Sequence, residues 1–250
     1  MIRYQYRKPP IEEAVCEFRF APGLAWNLTV PGLFYEKIRN AYPGEPQQQN
    51  LIQAEFQIGQ MPANPEFAFR QNMSKLLFQS ADTKKLVGVG PDTLSIHSLR
   101  PYEGWEDFKQ RIDNAFHTYL DVAKPSGVTR IALRYINKIA VVKHEIELSE
   151  YFTVYPQLPD GVPTTISGFL TRTESIYKDI PIKLITTLSD AVTSAGQVVF
   201  ILDLEVSQDW VEKPLSLQET LSNLYELKHR ETQAFENFIT DRARELFDDQ

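Results

Sequence analysis

A chain of 250 residues with 42% hydrophobic and 24% charged content can bury a sizeable core and has the composition of a soluble globular protein. The formal charge of −7 comes wholly from residues 126–250, which hold 12 basic and 19 acidic residues against 14 and 14 in residues 1–125. That balance argues against non-specific binding to the phosphate backbone of duplex nucleic acid.

Cys16 is the only cysteine, so no intrachain disulfide forms. The start, Met1-Ile-Arg-Tyr-Gln-Tyr-Arg-Lys8, lacks the apolar core of a secretion signal, and no run approaches the roughly 20 apolar residues that span a bilayer. The expectation is a cytoplasmic protein with no membrane association.

Glu13 to Phe20 alternates, with Ala14, Cys16, Phe18 and Phe20 on one side and Val15, Glu17 and Arg19 on the other. A period of two marks a strand with one buried face, and Cys16 falls on that face as a core residue. Pro22-Gly23 and Pro31-Gly32 bracket a connection, and Leu33, Phe34, Ile38 and Ala41 predict a helix stopped by Pro43-Gly44. Gln47-Gln48-Gln49-Asn50 reads as polar loop.

Short strands follow at 51–59, 66–72, 75–80, 85–90 and 93–98, the last two joined through Pro91-Asp92. Such a series is an antiparallel meander. After Pro101-Tyr-Glu-Gly104, the residues Trp105, Phe108, Ile112, Ala115, Phe116, Tyr119 and Leu120 recur at steps of three and four. They predict a long helix with a wide apolar stripe, ended at Lys124-Pro-Ser-Gly127.

The pivot of the chain is Val128 to Val142. Its alternation puts Ile131, Leu133, Tyr135, Asn137 and Ile139 on one face and Arg130, Ala132, Arg134, Ile136 and Lys138 on the other. A short helix at 147–152 and a Pro-rich link at 155–163 precede strands at 167–176, 182–188 and 197–206. Ser216 and Glu219 have the form of a capping box for a closing helix, with a kink or fresh start at Thr240-Asp241.

The two halves, 1–125 and 126–250, echo each other as strand, helix, strands, helix, without a residue-level repeat. The predicted class is α+β: a large, curved, mainly antiparallel sheet built from both halves as one continuous unit, with the long helices on one face.

Several segments carry a family resemblance. They are Pro9-Pro-Ile-Glu-Glu-Ala-Val-Cys-Glu-Phe-Arg-Phe20, the hairpin Leu86-Val-Gly-Val-Gly-Pro-Asp-Thr-Leu-Ser95, Leu133-Arg-Tyr-Ile-Asn-Lys-Ile139 and the closing Phe235 to Asp241. With them the chain resembles a sporadically distributed family of uncharacterised prokaryotic proteins of about this length. The resemblance covers nearly the whole chain and implies an intact fold and a prokaryotic origin. It transfers no catalytic residue, and the patchy distribution implies an accessory role at a mobile-element or defence locus.

The chemical candidates are few. Pro91-Asp92 followed by Asp107-Phe108-Lys109 mimics a nuclease signature, but that chemistry needs its second acid and lysine at a strand end, and here they open a helix. Asp203 and Glu205 share the polar side of one strand and are the candidates for a metal-dependent nuclease or hydrolase, or else they face Arg134 and Lys138 as salt bridges. His97, His117, His144 and His229 have no metal-ligand spacing, and neither a phosphate loop nor a Gly-x-Ser-x-Gly elbow occurs, so no cofactor is implied.

Arg19, Arg70, Arg134 and Arg172 each lie in a predicted strand. Arg19, Arg134, Asn137 and Lys138 are the candidates for a groove that takes a small anionic ligand or a protein. The expected function is therefore a non-enzymatic binding module. The alternatives are the strand-carboxylate enzyme and single-stranded nucleic-acid binding on an open sheet face, which needs aromatics beside basic residues. A homodimer through a sheet edge or through the acidic final helix is a further expectation.

Overall fold

The computed structural model describes residues 6–21, 29–49, 75–142, 146–162, 166–194, 197–210 and 212–248. In chain order the elements are β1 (Ile11–Phe20), α1 (Thr29–Ile38), β2 (Gln47–Gln49), β3 (Lys75–Gln79), β4 (Lys85–Val89), β5 (Thr93–Leu99) and α2 (Trp105–Ala123). They continue with β6 (Val128–Val141), a 3-10 turn (Leu148–Glu150), β7 (Leu170–Ile176), β8 (Lys183–Ser194), β9 (Gln197–Asp209), α3 (Leu217–Phe238) and α4 (Asp241–Asp248).

The nine described strands form one open sheet in the order β2-β3-β4-β5-β1-β6-β9-β8-β7, with every pairing antiparallel. The α+β class with a large antiparallel sheet is what the sequence predicts. The strands of the first half join those of the second at β1–β6, where Cys16 lies opposite Leu133 and Val15 opposite Arg134. β5 and β6 therefore run parallel to each other with β1 between them, and α2 makes the crossover.

Alternation settles which face each strand buries. Ala14, Cys16, Phe18 and Phe20 of β1, Leu133, Tyr135 and Ile139 of β6, and Leu202, Leu204 and Val206 of β9 are buried beneath the helices. Under α2, Phe116 lies 4.8 Å from Phe18, and Tyr119 stacks on Phe20 at 4.5 Å. α3 is held by Lys228, whose Nζ sits 4.0 Å from the Tyr135 ring centre and donates to Glu231 Oε2 at 2.6 Å. Glu231 is 3% exposed, and the Lys228 ammonium is its ion-pair partner.

Four details depart from the sequence reading. Gln47–Gln49 is a strand, because its backbone adds to β3 at the sheet edge and its side chains need no buried face. Pro31-Gly32 lies inside α1 instead of before it; near a helix start the missing proline N–H has no partner to lose. The expected helix at 147–152 is a single 3-10 turn. Ser216 does not cap α3: its hydroxyl donates to the Glu219 carboxylate at 2.5 Å and accepts no backbone N–H at the helix start.

The fresh start at Thr240-Asp241 is present, since α3 ends at Phe238 and α4 begins at Asp241. The strands expected at 51–59 and 66–72, with Arg70, lie outside the described residues. No helix among the described residues is long and apolar enough to cross a membrane. Phe116 touches two strand aromatics at full burial, so Phe116→Ala should cost about 3–5 kcal/mol, read as a lowered urea midpoint with an unchanged m-value.

Candidate functional site

Among the described residues, the helices leave the other sheet face open. The strand registers put Glu13, Val15, Glu17 and Arg19 of β1 on it, beside Arg130, Ala132, Arg134, Ile136 and Lys138 of β6. Asp203, Glu205 and Asp209 of β9 lie next to these, and Thr93, Ser95 and His97 of β5 lie on the far side of β1. Among the described strands, no open-face position holds an aromatic residue, so a stacking platform for single-stranded nucleic acid has no basis there.

Three arginines organise the charges. Arg134 grips Asp203 with two bonds, Nε to Oδ1 at 2.8 Å and Nη2 to Oδ2 at 2.6 Å. Arg130 spans Glu205 at 2.7 Å and Asp209 at 2.9 Å. Arg19 shares Glu17 with Lys75, at 3.2 and 2.8 Å. The Asp203 bond, against the cost of burial, holds the Arg134 guanidinium above its usual range. Burial opposes the charge on Glu17, but Lys75 and Arg19 outweigh it and hold the carboxyl below its ordinary value.

These pairs decide the fate of the sequence candidates. Asp203 and Glu205 do share a face, yet each is bound to a different arginine, and no group of three His, Cys, Asp or Glu that could hold a metal ion occurs among the described residues. Arg19, Arg134 and Lys138 do share the open face, but Arg19 stands opposite Arg130, eight residues along β6 from Lys138. Asn137 does not share that face: it is 2% exposed on the helix side, where its Nδ2 donates to the carbonyls of Leu202 and Tyr135. A residue one step from Lys138 must point the opposite way, which corrects the expected groove of four. Lys138 is exposed and has no ion-pair partner among the described residues.

Asp92 lies in the β4–β5 hairpin and Asp107 opens α2, so the nuclease-like spacing does not converge. Lys109 donates to Asp113 at 2.6 Å. Cys16 is fully buried, and burial, reinforced by Glu17 and Asp113, pushes its thiol up and keeps it inert.

One constellation was invisible in the sequence. His97 Nδ1 lies 2.8 Å from Glu13 Oε1, and its Nε2 lies 3.0 Å from Ser95 Oγ. A carboxylate only accepts, so Nδ1–H donates to Glu13, and Nε2 shares a hydrogen bond with the Ser95 hydroxyl. Ser95 leans over Gly88, where a Cβ would come within 2.4 Å of its Oγ. The link between Glu13 and His97 runs across two strands and is diagonal to the Val15–His97 register, a relation that linear spacing does not encode.

On the helix side, a recess of about 540 Å³ between α1 and α2 is lined by Lys37, Tyr42, Arg111 and Asp121 among others. Arg111 is committed there to Glu103, the Tyr42 hydroxyl and the His97 carbonyl, so it acts as a strut. No protein-family model matches the chain, and no curated protein matches it.

The Glu17 environment gives a pH dependence. Because its folded pKa lies below the ordinary 4.5, its stabilisation is present above that value and is lost as pH falls through the folded one. Glu17→Gln should lower the urea midpoint at pH 7, and the deficit should close as the pH is taken below about 4.5.

Proposed function

We propose that the protein is a non-enzymatic, cytoplasmic binding module whose open sheet face receives a carboxylate-bearing polypeptide. The observation that carries this reading is the one-sided helix layer. It leaves half-buried aliphatic residues, Val15, Ile136 and Ile201, beside the solvent-facing cations Arg19, Arg134 and Lys138. A broad sheet surface encloses no small substrate, whereas aliphatic contact area rimmed by arginine suits a protein surface. Asp203, Glu205 and Asp209 of this face are engaged by its own arginines, while Lys138 has no ion-pair partner among the described residues. The family resemblance supports a prokaryotic origin and an accessory role at a mobile-element or defence locus.

The test is calorimetric titration with a synthetic peptide of alternating Glu and Val. Binding should appear in the wild type and weaken about tenfold in Lys138→Glu, with a strong salt dependence, a loss near 1.4 kcal/mol. Absence of heat in the wild type, or equal affinity in the variant, would overturn the reading.

A second reading rests on Glu13, His97 and Ser95, whose connectivity is that of a hydrolase triad. It uses other residues than the strand-carboxylate enzyme, whose Asp203 and Glu205 are each paired with an arginine. Against it, Ser95 is 2% exposed and sits in mid-strand, opposite Glu17 and Gly88, instead of on a sharp turn. A fluorophosphonate probe decides: labelling of the wild type that Ser95→Ala abolishes would establish an activated serine, and an unlabelled wild type would dismiss it.

A further inference from the structure

β7 closes the sheet at one end, pairing with β8 on one side and with no other strand among the described residues. The helix layer does not reach it: six of its seven residues are exposed, Leu170 by 69% and Ile176 by 70%. Its pairing with β8 is regular over all seven residues, without bulge or proline, so it lacks two common devices by which proteins blunt a sheet edge. Val154, Leu158, Val162 and Ile166, which lead into it, are exposed as well.

The backbone phase follows from one bond. Tyr177 N–H donates to Ile182 O at 3.0 Å, in register with the β7–β8 ladder. Alternation then turns the amides and carbonyls of Thr171, Thr173 and Ser175 toward β8, and those of Leu170, Arg172, Glu174 and Ile176 outward. The side chains of these outward residues all lie on the helix-free face, opposite Ser189, Thr187, Ile185 and Lys183.

The sequence of this strand, Leu170-Thr-Arg-Thr-Glu-Ser-Ile176, is a chemical palindrome. Laid antiparallel on a second copy about Thr173, it sets Leu170 against Ile176, Thr171 against Ser175, and Arg172 against Glu174, each twice. Residue i meets j as j meets i, which is what a two-fold contact requires. The outward residues meet each other, so their free amides and carbonyls are the groups that bond. A slip of two residues either way sets Arg172 against Arg172 or Glu174 against Glu174, and like charges directly opposite repel.

We infer that β7 is the contact strand of a homodimer in which two nine-stranded sheets join edge to edge, twice nine making eighteen strands, with both helix-free faces on one side. Within one subunit Arg172 reaches back along its own strand to Glu174 at 2.8 Å, and Lys183 holds the other carboxylate oxygen at 2.5 Å. In the dimer each Glu174 gains a guanidinium directly across the strand pair, a closer relation than two positions along one strand. The apolar ends, Leu170 and Ile176, cover each other.

Sedimentation velocity on the full chain at micromolar concentration tests this, with circular dichroism confirming the fold of each variant. The wild type should be a dimer. Arg172→Glu and Glu174→Arg should each be monomeric, an equimolar mixture of the two should restore a dimer, and the combined reversal Arg172→Glu/Glu174→Arg should dimerise alone. Thr173→Cys, in the wild-type charge background, should form a disulfide-linked dimer, because facing residues at a non-hydrogen-bonded pair approach to about 4.5 Å. A monomeric wild type, single variants that stay dimeric, a mixture that does not pair, or failure of the Thr173→Cys link would each overturn the inference.

Discussion

Everything in this fold passes through β6. It is fourteen residues long, it pairs with β1 along one edge and β9 along the other, and among the described strands it is the only one of the second half that pairs with the first. Its inner side chains meet the helix layer, where Tyr135 takes the Tyr102 hydroxyl at 2.9 Å and the Lys228 ammonium over its ring. Burial drives the Tyr135 phenol well above its ordinary range, so it stays a neutral hydrogen-bonding post between α3 and the start of α2. Its outer side chains, Arg130 and Arg134, collect the carboxylates of β9. One strand thus fixes both the hydrophobic layer and the electrostatic pattern of the opposite face.

The outer pattern has an internal logic. Arginine is the residue suited to gripping a carboxylate with two bonds, and Arg134 does so with Asp203 in the diagonal relation that a twisted antiparallel pair allows. The acids that looked available for metal chemistry are thereby spoken for, and the surface becomes nearly neutral despite the acidic chain. A neutral, aliphatic and arginine-rich sheet surface fits contact with protein better than contact with a phosphate backbone, which agrees with the charge balance of the whole molecule.

How much of this was legible in the sequence depends on the range of the interactions. Alternation in Glu13–Phe20 and Val128–Val142 declared the two central strands, because a half-buried strand writes its periodicity into its own residues. The apolar stripe of α2 was equally plain. Gln47–Gln49 gave no sign, since an edge strand of polar residues is held by backbone bonds that leave no side-chain pattern. Asn137 was misplaced when its polarity was weighed above its position: it stands in phase with Leu133 and Ile139, and the alternation already put it inward. Glu13, His97 and Ser95 come together through a strand pairing across some eighty positions, and nothing in a linear reading brings those three side chains into one place.

The insertion of β1 between two parallel strands has a consequence of its own. β5 and β6 are tied to each other by α2, whereas β1 lies 74 to 86 residues away from its β5 partners and more than a hundred away from its β6 partners. Closing so long a loop costs entropy before the pairing rewards it, and the β1–β6 pairing closes the longest loop among the described strand pairs. A chain deprived of β1 would hold two strands a single strand's width apart over an aromatic floor. That slot is shaped for donor-strand complementation, with Ala14, Cys16, Phe18 and Phe20 as the pegs that an incoming peptide must supply.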